Sequence, residues 1–240
     1  MFLRMVSIVQ LVSLCVIATI ASAQIPNAGQ RRAQAGAERV ARPAILRPGL
    51  FFKESWSQPA QGDGHPVTSA SNGNPDLDLK LYVPAGQILL YGKDGNENDP
   101  VHLWTGLCTT PCAVALRDKR SFADLSGLAR IRVNTKTSGF HHIRPIVKLA
   151  DGTWWVGDQA IGTTRDWLVS EISYGDLRWM PLDIKRVVTV GGTTRKIDLT
   201  RIDDIGFADL KPGSGHRPGG WADIAQIQVY CHGVPRTGRH

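Results

Sequence analysis

The sequence lacks the features that define several large classes of protein. It has four cysteines and no histidine at the spacing of a zinc finger, which excludes that kind of metal site. It has no Gly-x-Ser-x-Gly or His-Glu-x-x-His motif and no Gly-Lys-Ser/Thr loop that leads into a helix, so the usual signatures of hydrolases, zinc proteases and P-loop proteins are missing. No segment shows three turns of helical periodicity, and we therefore expect no long helix.

Long apolar runs are also missing after the first residues of the chain. Arg4 provides a positive charge, residues 8–20 are apolar, and 21–23 read Ala-Ser-Ala, the pattern of a cleavage site. We expect residues 1–23 to be a cleaved signal peptide and the protein to be secreted or periplasmic. No other stretch approaches about 20 apolar residues, so we predict no integral membrane segment after cleavage.

The net charge of +7 is confined to the ends of the chain. Residues 24–47 carry five arginines against Glu38, residues 233–240 carry two arginines, and Arg4 lies in the signal peptide, which leaves residues 48–232 neutral. We therefore predict no nucleic-acid partner. Residues 24–47 have little to bury and are predicted to be a flexible basic linker, with an electrostatic tether to an anionic cell surface as the alternative.

Three cysteines remain after the signal peptide. Cys108 and Cys112 flank a Thr-Thr-Pro turn and are predicted to form a disulfide in an oxidising compartment, and Cys231 would then be a buried free thiol. A bridge from Cys108 to Cys231 is the competing connectivity.

Short segments rich in Val, Ile, Leu, Trp and Tyr alternate with turns of Gly, Asp, Asn and Pro, a pattern typical of antiparallel strands. The Asp151-Gly152 pair predicts a hairpin with a type I′ turn. We predict a single antiparallel β-sandwich over residues 48–232, followed by a tail at 233–240. The predicted strands are 50–56, 77–83, 87–91, 101–105, 113–117, 129–135, 140–149, 153–156, 167–173, 186–190 and 224–231.

Alternation along a strand indicates which side chains are buried. Residues 129, 131 and 133 are predicted to face the core, and so are His141, Ile143, Pro145, Val147 and Leu149. The opposite face then carries Phe140, His142, Arg144, Ile146 and Lys148. A sheet with one solvent-exposed face gives the same pattern without any ligand.

Sugar binding requires an aromatic ring that stacks on a pyranose and planar polar groups for its hydroxyls. We predict that one sheet face and its loops supply both. The predicted ligand-binding residues are His142, Arg144, Lys148, Trp104, Trp154, Gln159 and His216. His216 belongs to the Gly/Pro-rich segment 209–221, which is equally compatible with a plain connection, and Trp167 is expected in the core.

Four segments resemble the galactose-binding-like jelly-roll domains, a group that includes many carbohydrate-binding modules and the complex I intermediate-associated type of domain. They are 123–132, with Asp-Leu-Ser before a strand; 166–167; 198–207, with Asp-Leu-Thr before Ile-Gly-Phe; and 221–230, which ends in Val-Tyr. The resemblance spans about half of the chain and implies a jelly-roll fold, with Leu125, Leu199, Ile202, Ile205 and Phe207 in the core.

The resemblance also implies a structural calcium ion, shared by acidic residues of the first and last strands. Glu54 and Asp223 are the positions that match. The acidic segment 92–104 is a further candidate calcium site, or a set of solvated turn residues.

Non-catalytic binding of a polysaccharide or oligosaccharide is the favoured function. The alternative is a small lyase or glycoside hydrolase acting on an acidic polysaccharide, in which Arg144, His142 and Lys148 act with Tyr91 or Tyr174. A third hypothesis is a protein-interaction module of the cell envelope.

Overall fold

The computed structural model describes residues 46–57, 64–92, 98–211 and 220–236. The predicted signal peptide, most of the predicted linker, His216 and the last residues of the predicted tail lie outside these ranges. Within them the chain forms sixteen strands and two short 3-10 helices, Ser69–Ser71 and Tyr174–Asp176. None of the helices in this part is long and apolar enough to span a membrane.

The strands are β1 (Leu50–Ser55), β2 (His65–Pro66), β3 (Leu77–Tyr82), β4 (Leu89–Tyr91), β5 (His102–Trp104), β6 (Cys112–Asp118), β7 (Ser121–Asp124), β8 (Arg130–Thr137), β9 (Ile143–Leu149), β10 (Trp154–Gly157), β11 (Leu168–Ser173), β12 (Trp179–Asp183), β13 (Val188–Thr189), β14 (Ile202–Asp209), β15 (Ala222–Tyr230) and β16 (His232–Pro235).

These strands form two antiparallel sheets. The first sheet has the order β11-β8-β15-β5-β4-β2, with β1 beside β15, and the second has the order β13-β12-β10-β9-β14-β6-β3, with β7 and β16 at one end of β14. Consecutive strands of the chain often lie in different sheets, as do β8 and β9, β10 and β11, and β14 and β15. The predicted antiparallel β-sandwich is confirmed.

The main core lies between the sheets and follows the predicted alternation. Ile131 and Val133 of β8 are at most 1% exposed, and His141 and Ile143 are buried at the start of β9. Residues 125, 199, 202, 205 and 207 are buried as predicted. The period of two therefore identified the buried face correctly, because each strand packs one face against the opposite sheet.

A second apolar cluster covers part of the outer face of the second sheet. Ile146 was predicted to be on an open face, but it is fully buried with Trp154, Val156, Leu182 and Val187. The prediction is wrong for Ile146 because Leu182 of β12 and Val187 of the following connection supply apolar side chains on this face of the sheet.

Five strands were not predicted from the strand patterns: β2, β7, β12, β14 and β16. Strand β16 pairs with β7, so residues 233–235 of the predicted tail belong to the domain. The predicted hairpin between β9 and β10 is present, but among its loop residues only Gly152 has a positive φ, of 92°. A type I′ turn needs two positive φ angles, and the loop of residues 150–152 is instead a three-residue connection with glycine at its left-handed position.

No disulfide joins the cysteines of the described residues, which corrects the predicted Cys108–Cys112 bridge. Both side chains are thiols, at most 2% exposed, in a hydrogen-bonding arrangement. This hydrogen bond and burial raise the pKa of the Cys112 thiol. Cys231 is a buried thiol, as predicted.

Asp203 is the centre of the densest charge network of the described residues. Its carboxylate accepts hydrogen bonds from Arg117 Nε at 3.0 Å, Lys148 Nζ at 2.9 Å and Arg236 Nη1. Burial raises the pKa of Asp203, but the hydrogen bonds from Lys148 and Arg236 outweigh it and lower the pKa to about 2. The network ties β14 to β6, to β9 and to the residue after β16.

We expect Asp203→Asn to lower the free energy of unfolding by about 1–3 kcal/mol at pH 7, because three cations lose a charged acceptor. The lowered pKa means that this stability is present above pH 4 and is lost as the pH falls toward 2. Thermal unfolding from pH 2 to 7 measures it. Asp76→Asn, which breaks only the exposed pair with Arg120, is the control, and equal losses in both variants would contradict the role of Asp203.

Candidate functional site

The predicted ligand-binding residues lie on two different sheets. Trp104 ends β5 of the first sheet. The second sheet and its loops carry His142, Arg144, Lys148, Trp154 and Gln159. His216 lies outside the described residues. The structure therefore divides the predicted set and separates Trp104 from the cations.

Two members of the second group have other roles. Lys148 is engaged with Asp203, and Trp154 is 8% exposed and packs edge-on against Tyr82, with ring centroids 5.2 Å apart. The structure places Lys148 in an ion pair and Trp154 in a packing contact, and their predicted ligand contacts stay predictions. Gln159 is exposed, and His142 and Arg144 line a surface cavity together with Lys211.

The residues of the lyase hypothesis do not come together. Tyr174 is fully buried in the core, where burial raises its pKa well above the usual value, and Tyr91 lies on the first sheet. Neither tyrosine shares a sheet face with Arg144, so this proton-transfer set is not assembled.

A different group of side chains converges on the outer face of the first sheet. In β5, Leu103 points into the core and is 1% exposed, so His102 and Trp104 point outward. Strand β4 pairs with β5 and places Tyr91 directly opposite His102. Trp167, just before β11, completes a surface that we call the aromatic face, defined by Tyr91, His102, Trp104 and Trp167.

The four rings of the aromatic face form a continuous row. Trp104 meets Tyr91 edge-on at 5.3 Å, Tyr91 stacks on His102 at 5.9 Å, and His102 meets Trp167 edge-on at 5.1 Å between centroids. Tyr91, Trp104 and Trp167 are partly exposed, whereas His102 is 8% exposed between its neighbours. Trp167 was expected in the core, and this is wrong because its indole N–H bonds Asp99 Oδ1 at 2.9 Å on the outer surface.

Polar groups surround this row. Lys136 of β8 places its ammonium 6.0 Å from the centre of the Trp167 ring. Strand β15 lies between β8 and β5. In the strand register, Asp223 of β15 is opposite Lys136 of β8 on one side and opposite Trp104 of β5 on the other. The aromatic face therefore has hydrogen-bonding groups of both charges within the same sheet.

Asp223 is a buried carboxyl with an unused acceptor. It is 5% exposed; Oδ2 accepts a hydrogen bond from Trp221 Nε1 at 3.2 Å, whereas Oδ1 has no hydrogen-bond partner and lies 4.0 Å from His102 Nε2. Burial raises the pKa of Asp223 to about 7, and the nearby Asp99 acts in the same direction while Lys136 opposes it. The carboxyl is thus held near the midpoint of its titration at neutral pH.

The position of Trp104 depends on a glycine. A Cβ atom at Gly106 would lie 2.1–2.7 Å from three atoms of the Trp104 indole ring, closer than any side chain can approach. The ring lies flat against the backbone at this point, and any larger residue at 106 must displace it.

Glu54 and Asp223 do not form the calcium site that the resemblance implies. Glu54 is fully buried, and its carboxylate accepts the backbone N–H groups of Gly73 at 2.6 Å and Asn74 at 3.2 Å. In the strand register Glu54 is opposite Ile227, whose side chain is in the core, so Glu54 points to the core side of the sheet. Asp223 is on the outer face. The two carboxylates therefore lie on opposite faces of the sheet. No three His, Cys, Asp or Glu side chains of the described residues are grouped to hold a metal. A calcium ion held by the acidic segment stays a prediction, since residues 93–97 lie outside the described ranges.

Sequence reasoning found Trp104 and missed its neighbours. Tyr91 and His102 lie in predicted strands, and the alternation around Leu103 already indicates that His102 and Trp104 share a face. The local sequence pattern does not predict that β4 pairs with β5 in the register that puts Tyr91 opposite His102. It also does not predict that Trp167 lies on the same surface.

Asp223→Asn should alter how stability depends on pH. A raised pKa means that the folded protein holds a proton that the unfolded chain releases, so the wild type loses stability as the pH rises from about 4 to about 7. The asparagine variant has no carboxyl to deprotonate at this position, so it avoids this loss and should be more stable relative to the wild type at pH 8 than at pH 4. Melting temperatures from pH 4 to 8 measure the difference, with the exposed Asp176→Asn as control; parallel curves for wild type and Asp223→Asn would contradict the raised pKa.

No protein-family model matches the chain, and no curated protein matches it. Solved structures to which it is similar include a mutant family 29 carbohydrate-binding module complexed with cellulohexaose, at 13% identity and a TM-score of 0.39 over 74% of this chain and 92% of that chain. A second mutant of such a module, complexed with mannohexaose, matches at 13% identity with a TM-score of 0.39, over 70% of this chain and 89% of that chain. A further family 29 carbohydrate-binding module matches at 14% identity with a TM-score of 0.39, over 70% of this chain and 86% of that chain.

Proposed function

We propose that the protein binds carbohydrate through the aromatic face. The row of four rings on the solvent side of the first sheet is the observation that carries the proposal. Apolar faces of pyranose rings stack on aromatic side chains, and a row of such rings contacts successive sugar units. The ligand is then a polysaccharide or oligosaccharide that lies along the sheet.

The surroundings of the row suit sugar hydroxyls. Lys136 offers N–H donors, and Asp223 Oδ1 is a buried acceptor without a partner. A hydroxyl that reaches Asp223 Oδ1 would satisfy an atom that is costly to leave unpaired. Trp167 is held by Asp99, so part of the platform is already positioned before a ligand arrives.

Non-catalytic binding is the function that this arrangement supports best. A carboxyl with a pKa of about 7 is also a feature of acid catalysts, so an enzyme that uses Asp223 is the second candidate. Incubation with a panel of neutral and acidic polysaccharides, scored for retention and for soluble products, separates the two. Retention without products supports the binding module, products would make the protein an enzyme, and no retention on any glycan would contradict the proposal.

Trp104→Ala and Trp167→Ala should each weaken retention on the neutral glycan that binds best by roughly tenfold, because each removes a stacking surface. Affinity electrophoresis or calorimetry measures the loss. Phe122→Ala removes a partly exposed aromatic ring from β7 of the second sheet and is the matched control. Equal weakening by Phe122→Ala would mean that the glycan does not bind at the aromatic face.

Gly106→Ala should also weaken binding, since the new methyl group displaces the Trp104 ring. We expect a severalfold loss of affinity together with a shift in tryptophan emission. Gly192→Ala introduces the same methyl group into open space and should change neither. Unchanged binding by Gly106→Ala would show that Trp104 is not part of the platform.

A further inference from the structure

A cavity opens on the outer face of the second sheet, away from the aromatic face. Its volume is about 670 Å³, within the range of small-molecule sites. The described residues that line it are His142, Arg144, Ala160, Met180, Thr189, Leu210 and Lys211. We call it the cationic cavity.

Among the described residues, the lining of the cationic cavity contains two cations and a histidine but no carboxylate. The acidic side chains of neighbouring segments have other partners. Asp209 bonds His141 at 2.5 Å and the Lys211 backbone at 3.0 Å, and Asp158 Oδ1 accepts the backbone N–H of Arg178. The described part of the lining therefore carries positive charge without a counter-charge.

Arg144 is positioned to donate into this space. Its Nη1 donates to the carbonyls of Asp158 at 3.1 Å and Gly157 at 3.4 Å, which orients the guanidinium. Within the described residues Nε and Nη2 make no hydrogen bond. A guanidinium held at one nitrogen with two others available is suited to a planar carboxylate.

The other lining residues favour a ligand with a mixed surface. His142 Nδ1 bonds the carbonyl of Phe140 at 2.7 Å, which fixes the ring at the wall of the cavity. Met180, Leu210 and Ala160 provide apolar contacts. The Phe140 ring is 80% exposed, with Lys211 Nζ 5.7 Å from its centre, so an aromatic surface lies beside the charged groups.

We infer that the cationic cavity binds a carboxylated saccharide, with the carboxylate on Arg144 and the sugar ring against the apolar lining and Phe140. The ligand class is a uronic acid unit, at the end of a chain or within a short oligosaccharide. This site is separate from the aromatic face and does not require a ligand there.

The test is calorimetric titration of the protein with three short oligosaccharides, of galacturonic, glucuronic and mannuronic acid, and with their methyl esters, which retain the sugar and lose the charge. We expect at least one acid to bind and its ester to bind about tenfold or more weakly. Arg144→Gln should weaken binding of the acid about 10- to 100-fold. Arg120→Gln removes the same charge from an exposed site elsewhere and should have no effect.

Several outcomes would overturn the inference: no binding of any uronate, equal binding of acid and ester, equal losses in Arg144→Gln and Arg120→Gln, or displacement of the uronate by inorganic sulfate at the same concentration, which would indicate a generic anion site. Thermal unfolding verifies that Arg144→Gln is folded, and Lys211→Gln, at an exposed position, provides a second variant with the same expected direction.

Discussion

The burial of one face of every strand against the opposite sheet is the constraint on which the rest of this structure depends. Ile131 and Val133 of β8 and Ile227 and Val229 of β15 are at most 1% exposed, so their sequence neighbours must point outward. The side chains on one face of each strand fill the core, and those on the other face form two outer surfaces that do not contribute to the core. The candidate binding sites lie on those two faces.

The two outer faces differ in how far their side chains are buried. On the outer face of the second sheet, Leu182 of β12 and Val187 of the following connection form a buried cluster with Ile146 and Trp154. The cationic cavity opens on the same face. The outer face of the first sheet keeps partly exposed rings in β4 and β5. The first sheet thus carries the aromatic face, and the second sheet carries the cationic cavity.

Local electrostatics then decide which charged groups are available to a ligand. Asp203 engages Lys148 in an ion pair, whereas the described lining of the cavity offers no carboxylate to Arg144, although both cations lie on β9. Burial leaves Asp223 Oδ1 without a donor and raises the pKa of that carboxyl to about 7. The same residue types therefore differ in role according to the partner that the fold brings to them.

The amino-acid sequence by itself determined the all-β class, most strands and the buried face of β8, since a period of two and turn residues are local signals. It also identified Trp104 and Arg144 as candidate ligand contacts. The tertiary structure alone decided that these two residues lie on different sheets, that Lys148 is engaged by Asp203, that Trp167 joins Tyr91 and His102, and that Cys108 and Cys112 remain thiols. Strand pairing and register join residues far apart in the chain, and no local pattern encodes which distant strand becomes a neighbour.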